Sequence, residues 1–225
     1  MLKLYAAWAA FDGADRAKLL SACGSLSEKI GSRHDRDLPS ALCARFLLAY
    51  ALRQEGYDDA VFSSIVWEGK PYAACGSAPY FSYTHTGADG TYPGAAAVLL
   101  SDTEEVGVDM ERIRPMRRSG VISGRLFLEH ERAYLARQAS DEAFFRIWCA
   151  KEAFVKRTGE GFSRPFSTIS VDPDTAIAAS DGIRCALSFA AFGPHLLCAA
   201  AGACARLEPI VVQPHILWEQ FASKL

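Results

Sequence analysis

The chain is predicted to adopt an α+β fold, and three observations carry that expectation. Segments that alternate apolar and polar residues with a period of two, as a half-buried strand does, are interspersed with segments whose apolar residues recur at helical spacing. Half of the 225 residues are hydrophobic, enough for a substantial core in one large domain or two small ones. No internal repeat is visible, yet the order of helix and strands in each half is compatible with two related α+β units.

Taken in order, residues 1–8 read as an opening strand, because they lack the long apolar stretch of a signal peptide. Residues 15–24 read as a helix. A stronger helix is expected over 39–55, with Pro39 in its first turn, Leu42, Phe46, Leu47, Ala49 and Tyr50 at helical spacing, and Gly56 to stop it. Residues 62–67 and 80–83 read as strands around glycine- and proline-bearing loops, and 94–100 as a buried strand. In the next segment Val106, Val108 and Met110 alternate with Gly107, Asp109 and Glu111, so the two acidic residues share one face, roughly 6.5–7 Å apart. Residues 120–138 and 141–158 read as helices, the second starting at Asp141 and Glu142 and ending at Gly159, a natural left-handed terminator. Residues 168–171, 184–190 and 195–201 read as strands of a second sheet.

Composition excludes several function classes. The net charge of −2 and a pI near 6.2 provide no positive field for nucleic acid. The seven cysteines, at 23, 43, 75, 149, 185, 198 and 204, show no paired spacing with histidines, and they are expected as buried small hydrophobes in the reducing cytoplasm. The apolar runs 95–100 and 196–201 are too short to cross a bilayer, so no membrane partner is expected.

Two fragments carry polar groups where a core would prefer apolar ones. In the helix over 141–158, steps of about 100° put Phe144, Phe145, Ile147, Trp148, Phe154 and Val155 on one broad arc, and Lys151 and Glu152 fall inside it. A carboxylate there costs several kcal/mol unless a cation or strong donors meet it. Asp109, Glu111 and Glu152 together offer only oxygen ligands, which suit Mg²⁺, or Mn²⁺, better than zinc. Separately, an Asp-x-Glu strand and a Glu/Lys pair one turn apart are ordinary surface features.

The ordered set Gly107-Val108-Asp109-x-Glu111, then Trp148-x-x-Lys151-Glu152-Ala153-x-x-Lys156, closely resembles the signature of the 4′-phosphopantetheinyl transferases. That family moves the phosphopantetheine arm of coenzyme A onto a serine of an acyl or peptidyl carrier protein. Gly69-Lys70-Pro71, the segment 81–87, the stretches 125–127 and 129–135, and Gly159-Glu160-Gly161 are similar to further family elements in the same order, so the resemblance spans roughly residues 67–166. The length is similar to that of the double-length, Sfp-type members, in which two similar subdomains form a pseudo-dimer with the active site between them. This implies an N-terminal subdomain over 1–102, a C-terminal one over 103–225 carrying the acidic metal site, a monomer, and a role such as secondary metabolism.

By the same resemblance, Asp109, Glu111 and Glu152 hold Mg²⁺ against the coenzyme A pyrophosphate, and Lys156 stabilises or protonates the leaving phosphate. Glu152 is the implied general base, with a water at the cation as its rival. Lys151 contacts phosphate or pairs with an acidic residue. Lys70 and Pro71 would line the adenine pocket, and Thr84 and His85 would reach phosphate oxygens. For the 3′-phosphate the family has an arginine where this chain has Ser40; Arg33 and Arg36, with His34 between them, or Lys29, could substitute. Arg117 and Arg118, in a run that also holds Arg112 and Arg114, would dock the acidic helix of an apo carrier protein. The expected product is 3′,5′-ADP. Two other classes compete: another metal-dependent phosphoryl enzyme such as a phosphohydrolase, and a non-catalytic binder of coenzyme A or carrier proteins.

Overall fold

Period-two strands sort the apolar residues of this chain into three clusters, and those clusters define the layers. The computed structural model describes residues 1–10, 37–76, 78–203 and 206–222; the helix expected over 15–24 lies outside them. In the first sheet β1 (Leu2–Trp8) pairs antiparallel with β5 (Ala95–Ser101), which pairs antiparallel with β4 (Tyr80–Thr86). In the second, β6 (Gly107–Arg112) lies at one edge beside β10 (His195–Ala201), followed by β9 (Ile183–Phe192), β8 (Ile177–Ser180) and β7 (Ser170–Asp172).

On β5, Ala96, Val98 and Leu100 pack against helix α1 (Leu38–Gln54), while Ala95, Ala97 and Leu99 face the second sheet. On the second sheet, Val108, Met110, Leu197 and Ala199 face the first. The opposite face, with Leu196, Cys198 and Ala200, packs on helix α5 (Asp141–Thr158). The result is helix, sheet, sheet, helix, an α+β architecture in which each sheet buries both faces.

Gly107 shows how tightly α5 rides on β6. A Cβ there would stand 1.9 Å from the Ala153 carbonyl oxygen and 2.6 Å from the Arg157 nitrogen, so any side chain would push the helix off the strand. The end of the chain returns to the first sheet. Strand β11 (Ile210–Val212) pairs parallel with β1, and helix α6 (Pro214–Ala222) contributes Leu217 to the α1 core.

Several elements depart from the sequence expectations for local reasons. Residues 62–67 are not one strand. Helix α2 (Asp59–Ser63) occupies the start, capped by the Asp58 side chain, which accepts from the Ala60 nitrogen at 2.9 Å. Only Ile65–Val66 is extended, as β2, paired with β3 (Tyr72–Ala73). The helix over 120–138 is two, α3 (Ser119–Leu126) and α4 (Glu129–Gln138), because Phe127 turns extended and Glu131 folds back to accept from the Leu128 nitrogen at 2.7 Å. A 3₁₀ turn, Phe166–Thr168, replaces the start of the strand expected over 168–171. Strand β4 runs on to Thr86, which brings Thr84 and His85 into the sheet. Cys43, Cys149, Cys185 and Cys198 are buried thiols as expected, Cys75 is only partly buried, and Cys23 and Cys204 lie outside the described residues. Among the described residues no helix is long and apolar enough to cross a membrane.

Candidate active site

The edge strands β4 and β6 meet where the two sheets face each other, and the Val108 nitrogen donates to the Ser82 hydroxyl across that junction at 3.1 Å. Beside it opens a cavity of about 740 Å³. Strand β4 gives it Thr84 and His85, and β6 gives it Asp109 and Glu111. Helix α5 contributes Trp148, Glu152 and Lys156, while Lys70 and Pro71 close one flank and Phe166 another.

Helix α5 is well specified locally. Ser140 caps its start by accepting from the Ala143 nitrogen at 3.2 Å, acidic residues occupy the first turn, and Gly159 ends it at a φ of 76°. Glu152 and Lys156, one turn apart, therefore stand on the cavity side, opposite the acidic face of β6.

Asp109 is buried, with 6% of its surface exposed. Its Oδ1 accepts from the Lys156 ammonium at 2.7 Å and from the Thr84 hydroxyl at 3.2 Å, whereas its Oδ2 is buried with no hydrogen-bond partner among the described residues. An ionised oxygen left so is costly and asks for a cation or donor. Burial raises the pKa of Glu152, the Asp109 charge raises it further, and Lys156 offsets part of the rise. Glu111 behaves alike: burial and Asp109 push it up, against Arg114, which donates to it at 3.3 Å. The three carboxylates feel one another's charge.

Among the described residues no group of three or more His, Cys, Asp or Glu is drawn together tightly enough to hold a metal by itself. A hard cation such as Mg²⁺ does not need such a cage, since it keeps several waters and takes one or two carboxylates plus substrate oxygens. The unpartnered Asp109 Oδ2 and the mutual repulsion of Glu111 and Glu152 fit a cation of that kind.

Lys151, left open by the sequence, points away from the cavity and pairs with Glu131 at 2.8 Å, both side chains fully buried. Lys70 lines the cavity, but its ammonium pairs with Glu105 and donates to the carbonyl oxygens of Arg157 at 2.8 Å and Val106 at 3.2 Å; burial lowers its pKa. Pro71 lines the same flank. The Thr84 hydroxyl, expected at phosphate, is donated to Asp109. His85 lines the cavity with its Nδ1 3.2 Å from the Ser40 hydroxyl, so Ser40 and His85 form a pair that sequence separation hid.

Arg117 and Arg118 are exposed in the turn leading into α3, away from the cavity lining. Arg112 pairs with Asp89. Arg33 and Arg36, with His34 and Lys29, lie outside the described residues. Sequence reasoning missed Phe166, which packs edge-to-face on Trp148 with ring centroids 5.2 Å apart. An aromatic just after a glycine-rich helix exit was its one visible signal.

Residues 105–194, which hold the acidic strand and α5, match the sequence model of the 4′-phosphopantetheinyl transferase superfamily. The relatives give the family particular members. The chain is 34% identical over 108 residues to the 4′-phosphopantetheinyl transferase AcpT of Salmonella typhimurium, covering 47% of this chain and 52% of that one. It is 29% identical over 158 residues to a 4′-phosphopantetheinyl transferase of Bacillus subtilis, covering 66% of each. With the 4′-phosphopantetheinyl transferase Sfp of Bacillus subtilis strain 168 it shares 31% identity over 84 residues, 36% of this chain and 37% of that one. The chain thus spans about half the length of the AcpT relatives it matches.

Proposed function

We propose that the chain is a double-length, Sfp-type enzyme that transfers 4′-phosphopantetheine from coenzyme A to a serine of an apo acyl or peptidyl carrier protein, with Mg²⁺, releasing 3′,5′-ADP. The observation that carries this is Asp109: a buried carboxylate with one oxygen unpartnered, sharing a cavity with Glu111, Glu152 and Lys156.

Mg²⁺ held by Asp109, Glu111 and Glu152, with Mn²⁺ as a substitute, would neutralise charge on the pyrophosphate oxygens. Glu152 would take the proton of the acceptor serine, with a water in the cavity as its rival. The serine oxygen then bonds to the phosphorus bearing the pantetheine arm, and the bond from that phosphorus to the ADP oxygen breaks. Lys156 donates to the phosphate that leaves, exchanging its present bond to Asp109 for one to the product. Pro71 and the Lys70 stem line the adenine, while His85 and Thr84 reach phosphate oxygens. Arg33 and Arg36 hold the 3′-phosphate. Arg117 and Arg118, exposed in the turn leading into α3, meet the acidic surface of the carrier.

In this reading the subdomains are residues 1–102 and 103–225, arranged as a pseudo-dimer with the active site between them, in a cytoplasmic monomer. The shared lining of the cavity by β4 and β6 supports that arrangement. Residues 210–222 then reach back across the division to brace the first sheet. Incubation with coenzyme A, Mg²⁺ and an apo carrier protein, followed by intact-mass analysis, tests the proposal. One phosphopantetheine per carrier with release of 3′,5′-ADP is expected. Cleavage of coenzyme A with an unmodified carrier would make the chain a phosphohydrolase instead.

A further inference from the structure

One buried charge cluster stands behind the cavity and takes no part in the chemistry above. Lys151 Nζ pairs with Glu131 Oε1 at 2.8 Å, both side chains wholly removed from solvent. The ammonium also donates to the carbonyl oxygens of Phe166 at 2.9 Å and Ile169 at 2.5 Å, so its three donors are all used. Glu131 in turn accepts from the Val171 nitrogen at 2.8 Å and the Leu128 nitrogen at 2.7 Å.

A buried ion pair is seldom more stable than apolar residues of the same volume, so stability alone gives no reason for one here. Its partners suggest another. Phe166 lines the cavity and packs on Trp148, and Trp148 lies one turn before Glu152 on α5. We propose that Lys151 is a positioning residue: by clamping the 166–169 segment onto α5 it seats Phe166 against Trp148 and fixes the apolar wall beside Glu152, while Glu131 keeps the clamp charged. The proposal rests on the transferase reading of the cavity.

The test compares Glu131→Gln/Lys151→Met, which leaves no charge stranded, in the wild-type and Phe166→Ala backgrounds, measuring transfer kinetics, coenzyme A affinity by calorimetry and the urea midpoint. The double variant is expected to lose about tenfold in kcat/KM, as a small displacement of catalytic groups does. Phe166→Ala alone should lose a similar factor. Adding the double variant to it should cost no more than about a further twofold, because coupled residues do not add. Losses that multiply would overturn the clamp. Should the double variant not fold, Glu131→Gln alone decides: with the clamp's charge unsupported, kcat/KM should fall several-fold, and the fall should not multiply with that of Phe166→Ala. A loss as large as that of Phe166→Ala, multiplying with it, would defeat the proposal. A wild-type chain that transfers nothing sinks the transferase reading instead; the calorimetric comparison, with the same non-additivity in coenzyme A affinity, then still judges the clamp.

Discussion

Lys151 and Glu152 are neighbours on one helix and meet opposite fates. Lys151 is fully enclosed, with a carboxylate and two carbonyl oxygens for its three donors. Glu152 is half-buried and, among the described residues, meets Asp109 and Glu111 as repelling neighbours, with Lys156 as the offsetting charge. The same contrast separates Glu131, whose two oxygens both have partners, from Asp109, which has an oxygen with none among the described residues. A satisfied buried charge holds the fold together; an unsatisfied one at a cavity wall is strain that a ligand can relieve.

The largest expected effects fall on the unsatisfied side. Asp109→Ala and Glu152→Gln should each lower transfer on the order of a thousandfold or more, the scale of losing a cation's charge stabilisation or a general base. The urea midpoint of Glu152→Gln should be unchanged or slightly raised, since it removes a repelling carboxylate, whereas Asp109→Ala also gives up the Lys156 and Thr84 contacts and should lower it. A steep fall in the stability of Glu152→Gln would erase the distinction from Lys151. On the satisfied side, Lys151→Met strands the Glu131 carboxylate and should cost about 3–5 kcal/mol in urea denaturation. A cost below about 1 kcal/mol would mean that the pair is not closed off from water.

A smaller effect lies in the pH dependence of the metal-free protein. Glu111 and Glu152 have folded pKa values above their unfolded ones. Between the ordinary carboxylate value, about 4.3, and the raised one, the folded chain binds more protons than the unfolded chain. The stability carried by the protonated forms is therefore present below the ordinary value and lost as pH rises through the raised one. Urea midpoints in EDTA should fall across that window for wild type and fall less for Glu152→Gln. A rise in the wild type would reverse the sign of the account. The smallest change is expected at the surface: Arg117→Glu/Arg118→Glu should raise the apparent KM for carrier by up to about tenfold, and that for coenzyme A less. Equal changes for both substrates would remove the docking role.

Where one side chain's surroundings are set by its own helix or strand, sequence pattern made them readable. The alternation in β6 gave Asp109 and Glu111 a common face, and Ser140 and Gly159 marked the ends of α5. Pattern failed where a distant or local polar group intervened. Asp58 capped a helix inside an apparent strand, and Glu131 broke a long helical run by folding back on Leu128. That same Glu131 settles the role of Lys151, twenty residues away in sequence, and no periodicity links the two. Ser40 and His85 met through the packing of α1 on β4, which spacing alone does not encode.

The central claim is that the unpartnered Asp109 oxygen marks a cation site used with coenzyme A. Calorimetric titration of coenzyme A into wild type and Asp109→Ala, with and without Mg²⁺, tests it most directly. Mg²⁺ should strengthen binding to wild type and leave Asp109→Ala unchanged; equal strengthening in both would contradict the cation site.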